Sequence, residues 1–243
     1  MEWHDTGVVL SVKPFSENSR IAVIFNKTIG KASGLVRGTK SPIQFGDVNH
    51  VIWRGRTTEH LGSFTIENIF SPFQYVFNNP IGIFAIESSC SLCTNSMPDR
   101  VAHTKLFESF EAFLLSVSKG ILSEWIIDYV FFEMSLLSEI GLGLSLERCA
   151  VSGMRDDLCY VSPKTGCAVT SESAGQYKER LFPLPKFMIS KNKSYTKQDI
   201  FSALNITGHF LNMYFCGING KTLPLSRAYM LDAIHEADFE INF

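Results

Sequence analysis

Seven basic side chains, Arg20, Lys27, Lys31, Arg37, Lys40, Arg54 and Arg56, fall between positions 20 and 56 against one acidic residue, Asp47. Cations of one sign gathered on short strand-like runs suit a polyanion, because each Lys or Arg that neutralises a phosphate releases counterions. Gly34 and Gly38 lie among them, and a residue without a side chain lets a backbone come close to a ligand. The competing reading is a solvated sheet face, where most Lys and Arg reside. The charges alone weigh the two readings equally. Phe15, Phe25, Phe45 and Trp53 lie on or beside the same runs. Aromatic residues in such places serve as core more often than as stacking platforms.

The remaining reactive residue types assemble no site. Cys90-Ser-Leu-Cys93 is a C-x-x-C inside a predicted helix with no second pair at ribbon spacing, so two thiols on one helix face are expected. Cys149, Cys159 and Cys167 fall in a Gly-containing loop, but their C-x9-C-x7-C intervals match no zinc knuckle and no His lies near. A closed zinc site needs four ligands. Gly30-Lys31 lacks the earlier Gly of a P-loop and continues into Ala32. His235-Glu236 has no second His in the H-E-x-x-H position, Gly141-Leu-Gly143 lacks the third Gly of a dinucleotide loop, and G-x-S-x-G does not occur. No catalytic template fits, and a non-enzymatic role is expected.

The elements that position the basic residues follow from the spacing. Strands are predicted at Thr6–Val12, Ser19–Phe25, Lys31–Arg37, Val48–Trp53 and Leu61–Phe70, with a Gly-ended turn joining the second and third. Five short strands without a long helical period read as a small β-barrel of the OB type, with an SH3-like barrel as the alternative. The period changes at Asn79-Pro80, an N-cap followed by Pro at the first helical position. Further helices are predicted over Leu106–Val117, with Leu106, Phe107, Phe110, Phe113, Leu114 and Val117 on one face, and over Ile121–Ile140, Thr196–Phe215 and Leu225–Ala237. The predicted fold class is a multidomain α and β chain: an N-terminal barrel (1–78), then an all-helical domain (79–243) with a loop-rich insertion at about 148–171. Length and composition fit this division: 243 residues, 45% hydrophobic and 19% charged. Net charge is only −2, so the distribution of charge carries the signal. The N-terminus has no secretory pattern. The most apolar run, Trp125–Leu137, is interrupted by Asp128 and Glu133, so no bilayer span is expected and a cytoplasmic protein is.

Taken together, the motifs resemble those of the bacterial recombination mediator RecO in its alphaproteobacterial form. The matching pieces run in order along nearly the whole chain. They are Gly7-Val-Val-Leu10, Glu17-Asn-Ser-Arg20, Gly34-Leu-Val-Arg-Gly38, Phe132-Glu133, Glu139-Ile-Gly141, Arg148-Cys-Ala-Val-Ser-Gly153, Tyr160-Val-Ser-Pro163 and Leu225-Ser-Arg227. The resemblance implies an OB-fold, a helical domain and a zinc-ribbon-like insertion. It also implies a role in DNA repair at the nucleoid: binding single- and double-stranded DNA, annealing complementary strands, and acting with RecR so that RecA replaces single-strand-binding protein. A contact with the C-terminal tail of that protein is implied too. A chain that grips this tail through its helical domain, with little direct DNA contact, is the alternative. Arg100, Lys105, Lys119 and Arg227 are candidates for the rim of such a site. Zinc-holding members carry C-x-x-C-G and later G-G-x-x-C-x-x-C. Here Cys149 alone keeps a ligand position, with Ser152, Thr170 and Ser173 in the other three. The expectation is a ribbon without metal or other cofactor, held by packing of Val151, Leu158, Tyr160 and Val169.

Overall fold

The computed structural model describes residues 1–38, 43–57, 60–190, 194–218 and 220–237. Contacts divide the chain into two compact units, one of Met1–Leu122 with Pro224–Ala237 and one built on Ser123–Leu223. The change from strand to helix near residue 78 is therefore not an edge of a compact unit, because the helices that follow bury their apolar faces against the strands.

In the first unit, β1 (Glu2–Ser16), β2 (Ser19–Asn26), β3 (Gly30–Arg37), β4 (Val48–Arg54) and β5 (Ser63–Phe70) form a barrel in the order β1-β2-β3-β5-β4, with β4 returning to β1. Because β5 lies between β3 and β4, the barrel is not a simple meander, and the OB-type expectation holds. The seam between β3 and β5 is parallel and only two residue pairs long, Leu35 to Ser63 and Val36 to Phe64. β1 is longer than its sequence predicts. Its first half pairs with β4 and its second half with β2, with a register break between Val9 and Ser11. Polar Glu2 and His4 and the ring of Pro14 hide those ends from a pattern-based reading.

Alternation along β3 is strict, with Gly30, Ala32, Gly34 and Val36 buried and Lys31 and Arg37 on the outward parity. The barrel interior holds Val9, Ala22, Ile24, Val51, Trp53 and Phe64. Trp3 stacks on Trp53 at 5.9 Å between ring centroids. A Cβ at Gly34 would lie 2.6 Å from the Phe64 ring. Gly34 therefore makes room inside the barrel rather than for a ligand outside it.

α1 (Phe73–Val76) leads to α2 (Pro80–Ser96), capped by the Asn79 side chain, which accepts from Gly82 N–H at 3.3 Å. α2 buries a stripe of small residues. The Cys90 thiol points to the Val9 carbonyl of β1 at 3.7 Å, and burial pushes both the Cys90 and the Cys93 thiol upward. They are core residues, as the sequence predicts. α3 (Thr104–Val117) buries all six residues assigned to its apolar face. Phe107 meets Phe25 edge-on at 5.5 Å.

The second unit opens with α4 (Leu122–Glu139), whose Trp125, Tyr129, Phe132, Leu136 and Leu137 are fully buried. The insertion is more regular and longer than its composition suggests. β6 (Leu158–Val161), β7 (Ala168–Thr170) and β8 (Phe182–Pro183) form a sheet in the order β7-β6-β8. A short α5 (Ser171–Ala174) and a 3-10 turn at Gly175–Arg180 precede β8, and α6 (Lys186–Ile189) follows it. α7 (Lys197–Asn212) begins with a Thr196/Asp199 capping box and ends in a π-turn at Met213–Ile218. Its Thr207 hydroxyl donates to buried Glu133 of α4 at 2.5 Å. The last helix, α8 (Leu225–Glu236), belongs to the first unit. Among the described residues no helix is long and apolar enough to cross a membrane.

Candidate nucleic-acid interface

The β2–β3 hairpin is anchored at its turn and open at its strand ends. At the turn, the Asn26 side chain donates to the Ile24 and Gly30 carbonyls, while Asp5 accepts from Thr28 N–H at 2.7 Å and from its hydroxyl at 2.8 Å. Gly30 takes φ +83°, and a Cβ there would lie 2.0 Å from the Val101 carbonyl oxygen. The turn thus rests on the segment between α2 and α3, and Arg100 N–H donates to the Lys31 carbonyl at 2.8 Å.

This anchoring sorts the seven predicted cations. Lys31 donates to the Thr94 carbonyl at 3.0 Å and pairs with Asp99 at 3.2 Å, leaving its side chain 14% exposed. Lys27 pairs with Glu108 at 3.1 Å. Arg54 makes a two-point contact with Glu2 at 2.7 and 3.1 Å, and this partner holds the Glu2 carboxyl below its usual range. Arg20 and Arg37 are exposed at the opposite end of the hairpin, and Arg56 is exposed just beyond β4. None of these three has a carboxylate partner among the described residues. Lys40 lies outside the described residues.

Register brings the free cations to one end of the hairpin, with Arg37 on the outward parity and Arg20, the partner of Val36, on the other. Ser19 pairs with both Ser16 of β1 and Arg37 of β3, and Arg20 pairs with Pro14. Lys13, one position before Pro14, is exposed as well. The Ser16 and Ser19 hydroxyls close the β1–β2 turn, and Gly38 N–H ties it to β3 through the Asn18 carbonyl at 3.2 Å. Leu35 N–H donates to Gly62, so the β4–β5 connection reaches the same end of the barrel. Of the four aromatic residues, Phe25 and Trp53 are core and Phe45 packs edge-on with Phe73 at 4.8 Å. Phe15 is 60% exposed at the β1–β2 turn. Sequence reasoning did not single out Lys13, and it named Arg100 only for the rim of a peptide site, not for its place with the guanidinium 4.8 Å over the Trp53 ring. Only strand register could reveal the first, and the second depends on a contact between distant segments.

The predicted zinc positions do meet in space. The Cys149 sulfur accepts from Ser152 N–H at 3.5 Å, Thr170 N–H at 3.4 Å and the Thr170 hydroxyl at 3.7 Å. The Thr170 hydroxyl also lies 2.9 Å from that of Ser173. Burial pushes the Cys149 thiol up, but hydrogen bonds from the Ser152 hydroxyl, from Ser152 and Thr170 N–H and from Ser173 outweigh it and bring the group down to about 5. One sulfur with three neutral hydroxyls does not fit the Cys, His or carboxylate donor set that zinc requires. Cys159 and Cys167 turn to other partners, the Asp157 carboxylate and the Thr165 carbonyl. Val151 is 72% exposed at the tip of the turn closed by Gly153 N–H to the Cys149 carbonyl. It therefore does not pack the insertion, whereas Leu158 and Val169 are buried.

A small barrel with the strand order β1-β2-β3-β5-β4, joined to helices, defines the OB-type architectural class. Comparison with known proteins narrows the class. Residues 1–73 match the family described as Recombination protein O N terminal, and residues 82–228 match Recombination protein O C terminal. The DNA repair protein RecO of Cereibacter sphaeroides is 36% identical over 243 residues, covering 98% of this chain and all of that protein. Those of Caulobacter vibrioides and of a Jannaschia species are each 34% identical, covering 98% and 96% of this chain. The chain belongs to the RecO family of DNA repair proteins.

Proposed function

We propose that this protein is a non-enzymatic recombination mediator. It binds single- and double-stranded DNA, anneals complementary strands and, with RecR, helps RecA replace single-strand-binding protein, working in the cytoplasm at the nucleoid. The observation that carries this reading is the cluster of Lys13, Arg20 and Arg37, unpaired among the described residues, at the open end of the barrel. Annealing needs phosphates neutralised loosely enough for strands to move, and solvated cations without carboxylate partners supply that. The insertion keeps its turn-and-hairpin shape with no zinc or other cofactor, closed by hydrogen bonds to Cys149 instead.

The test is the double variant Arg20→Glu/Arg37→Glu. Each phosphate contact to a single strand contributes about −0.7 to the slope of log affinity against log salt. The double variant is expected to weaken binding, flatten the slope by about 1.4 and slow annealing, with its melting temperature unchanged. An unchanged slope removes this end of the barrel from the DNA site.

A second reading, adaptor binding to the acidic-hydrophobic tail of single-strand-binding protein, draws on exposed Leu115 and Ile121 flanking exposed Lys119. Of the other predicted rim cations, Lys105 is exposed. Arg227 is buried and Arg100 is held over Trp53. Titration of the full chain with a tail peptide, with Lys119→Glu as the variant, separates this activity from DNA binding.

A further inference from the structure

Arg100 adopts φ +59°, a conformation that residues with a side chain rarely take. Strain of this kind persists only where the surroundings over-determine it, and it clusters at positions with a task. Three contacts fix the backbone here. Arg100 N–H donates to the Lys31 carbonyl at 2.8 Å, Asp99 pairs with the Lys31 ammonium at 3.2 Å, and the Val101 carbonyl leaves no room for a side chain at Gly30. The segment between α2 and α3 therefore lies along β3 ahead of its seam with β5, bridged to it between Lys31 and Asp99.

The Arg100 side chain leaves β3 and reaches β4. Its half-buried guanidinium lies 4.8 Å over the ring of Trp53, which is fully buried. A cation gains most over an aromatic face that water does not reach. Trp53 is in turn the support of the β4–β5 connection. Its indole N–H donates to the Leu61 carbonyl at 3.1 Å, and a Cβ at either Gly55 or Gly62 would lie 2.4 Å from the ring. Both ends of the connection thus rest on the indole, and Leu35 N–H ties Gly62 to β3. Arg56, next to Gly55, is exposed with no carboxylate partner among the described residues. The two arginines are set apart by these surroundings. Arg100 has its charge engaged by a buried ring and its backbone held by β3, whereas Arg56 stands exposed on a connection built on that same ring.

We infer that Arg100 is a positioning residue for DNA binding: by capping Trp53 it fixes the β4–β5 connection and holds Arg56 where a phosphate is met. The inference rests on the DNA-binding reading and adds that one of its phosphate contacts is set by a residue outside the five strands.

The probe is a labelled single-stranded oligonucleotide, titrated with the full chain over a series of salt concentrations. Arg56→Ala is expected to flatten the slope of log affinity against log salt by about 0.7, the share of one phosphate. Glycine suits a positive φ, so Arg100→Gly removes the cation while relieving the backbone, and it is expected to flatten the slope by a similar amount. The double variant Arg56→Ala/Arg100→Gly is expected to flatten it by about 0.7 as well, not about 1.4, because residues acting through one contact are not additive. Arg100→Lys keeps a cation for the ring and is expected to retain the native slope. If Arg100→Gly does not melt cooperatively, Arg100→Met replaces it under the same expectations. A native slope in the Arg100→Gly chain, a slope as flat in Arg100→Lys, or full additivity in the double variant overturns the positioning role. An unchanged slope in Arg56→Ala also overturns it, and leaves DNA binding to the cations at the hairpin end. Failure of the native chain to bind at low salt overturns the DNA-binding reading itself.

Discussion

Lys31 and Arg37 sit on the same outward face of one strand, yet the fold gives them different tasks. Lys31 is held by the Thr94 carbonyl and Asp99, so it joins strand to helix. Arg37 is exposed with no carboxylate partner among the described residues. Lys31→Ala is therefore expected to cost about 1 kcal/mol of stability and to leave the salt dependence of DNA binding unchanged. Arg37→Ala is expected to do the reverse. Thermal melts beside binding isotherms at several salt concentrations distinguish the two, and a flatter slope in the Lys31 variant would contradict the division. Residue types and spacing are identical signals at both positions, so sequence marked both as phosphate contacts. The difference comes from Asp99 and Thr94, far along the chain, and no local pattern reports such a contact. Val151 is the opposite case. Its apolar side chain reads as core, but the turn that Gly153 closes carries it to the surface.

At the scale of elements, two devices fix the interface and the insertion. The first is the hairpin turn. A side chain at Gly30 would meet the Val101 backbone as well as the strain of a positive φ, so Gly30→Ala is expected to destabilise by about 2–4 kcal/mol. Gly38 also has a positive φ, +51°, but no atom of the described residues would lie within 4 Å of a Cβ there. Its Ala variant is expected to cost only the backbone strain, about 1 kcal/mol. Chemical denaturation of the two variants checks the contrast, and equal losses would show that the turn does not press on the helices. The second device is the knuckle around Cys149. Its folded pKa, about 5, lies below the value of about 8.5 for a free thiol. The thiolate therefore adds stability fully above pH 8.5, and that stability is lost as pH falls through about 5. The stability difference between the native chain and Cys149→Ala is expected to narrow over that window. A difference independent of pH would mean that the sulfur stays protonated. Element identity was largely legible: the Asn79-Pro80 and Thr196-Asp199 caps and the apolar face of α3 stand where local chemistry puts them. The length of β1 was not, because one strand serving two partners carries two patterns in succession.

At the scale of the whole molecule, formal charge says little, since a chain of net charge −2 has no overall pull on DNA. The proposed DNA contact falls at one end of one barrel, where Lys13, Arg20 and Arg37 have no carboxylate partner among the described residues. The order of matching motifs along the chain made the family readable from sequence. The closing seam of the barrel belongs to strand pairing and was not. The most direct test of direct DNA contact is fluorescence anisotropy of a labelled single-stranded oligonucleotide, titrated with the 243-residue chain across a series of salt concentrations. The account predicts saturable binding whose logarithm falls linearly and steeply with the logarithm of salt. Absence of binding at the lowest salt concentration would contradict direct DNA contact and leave partner recognition as the protein's main activity.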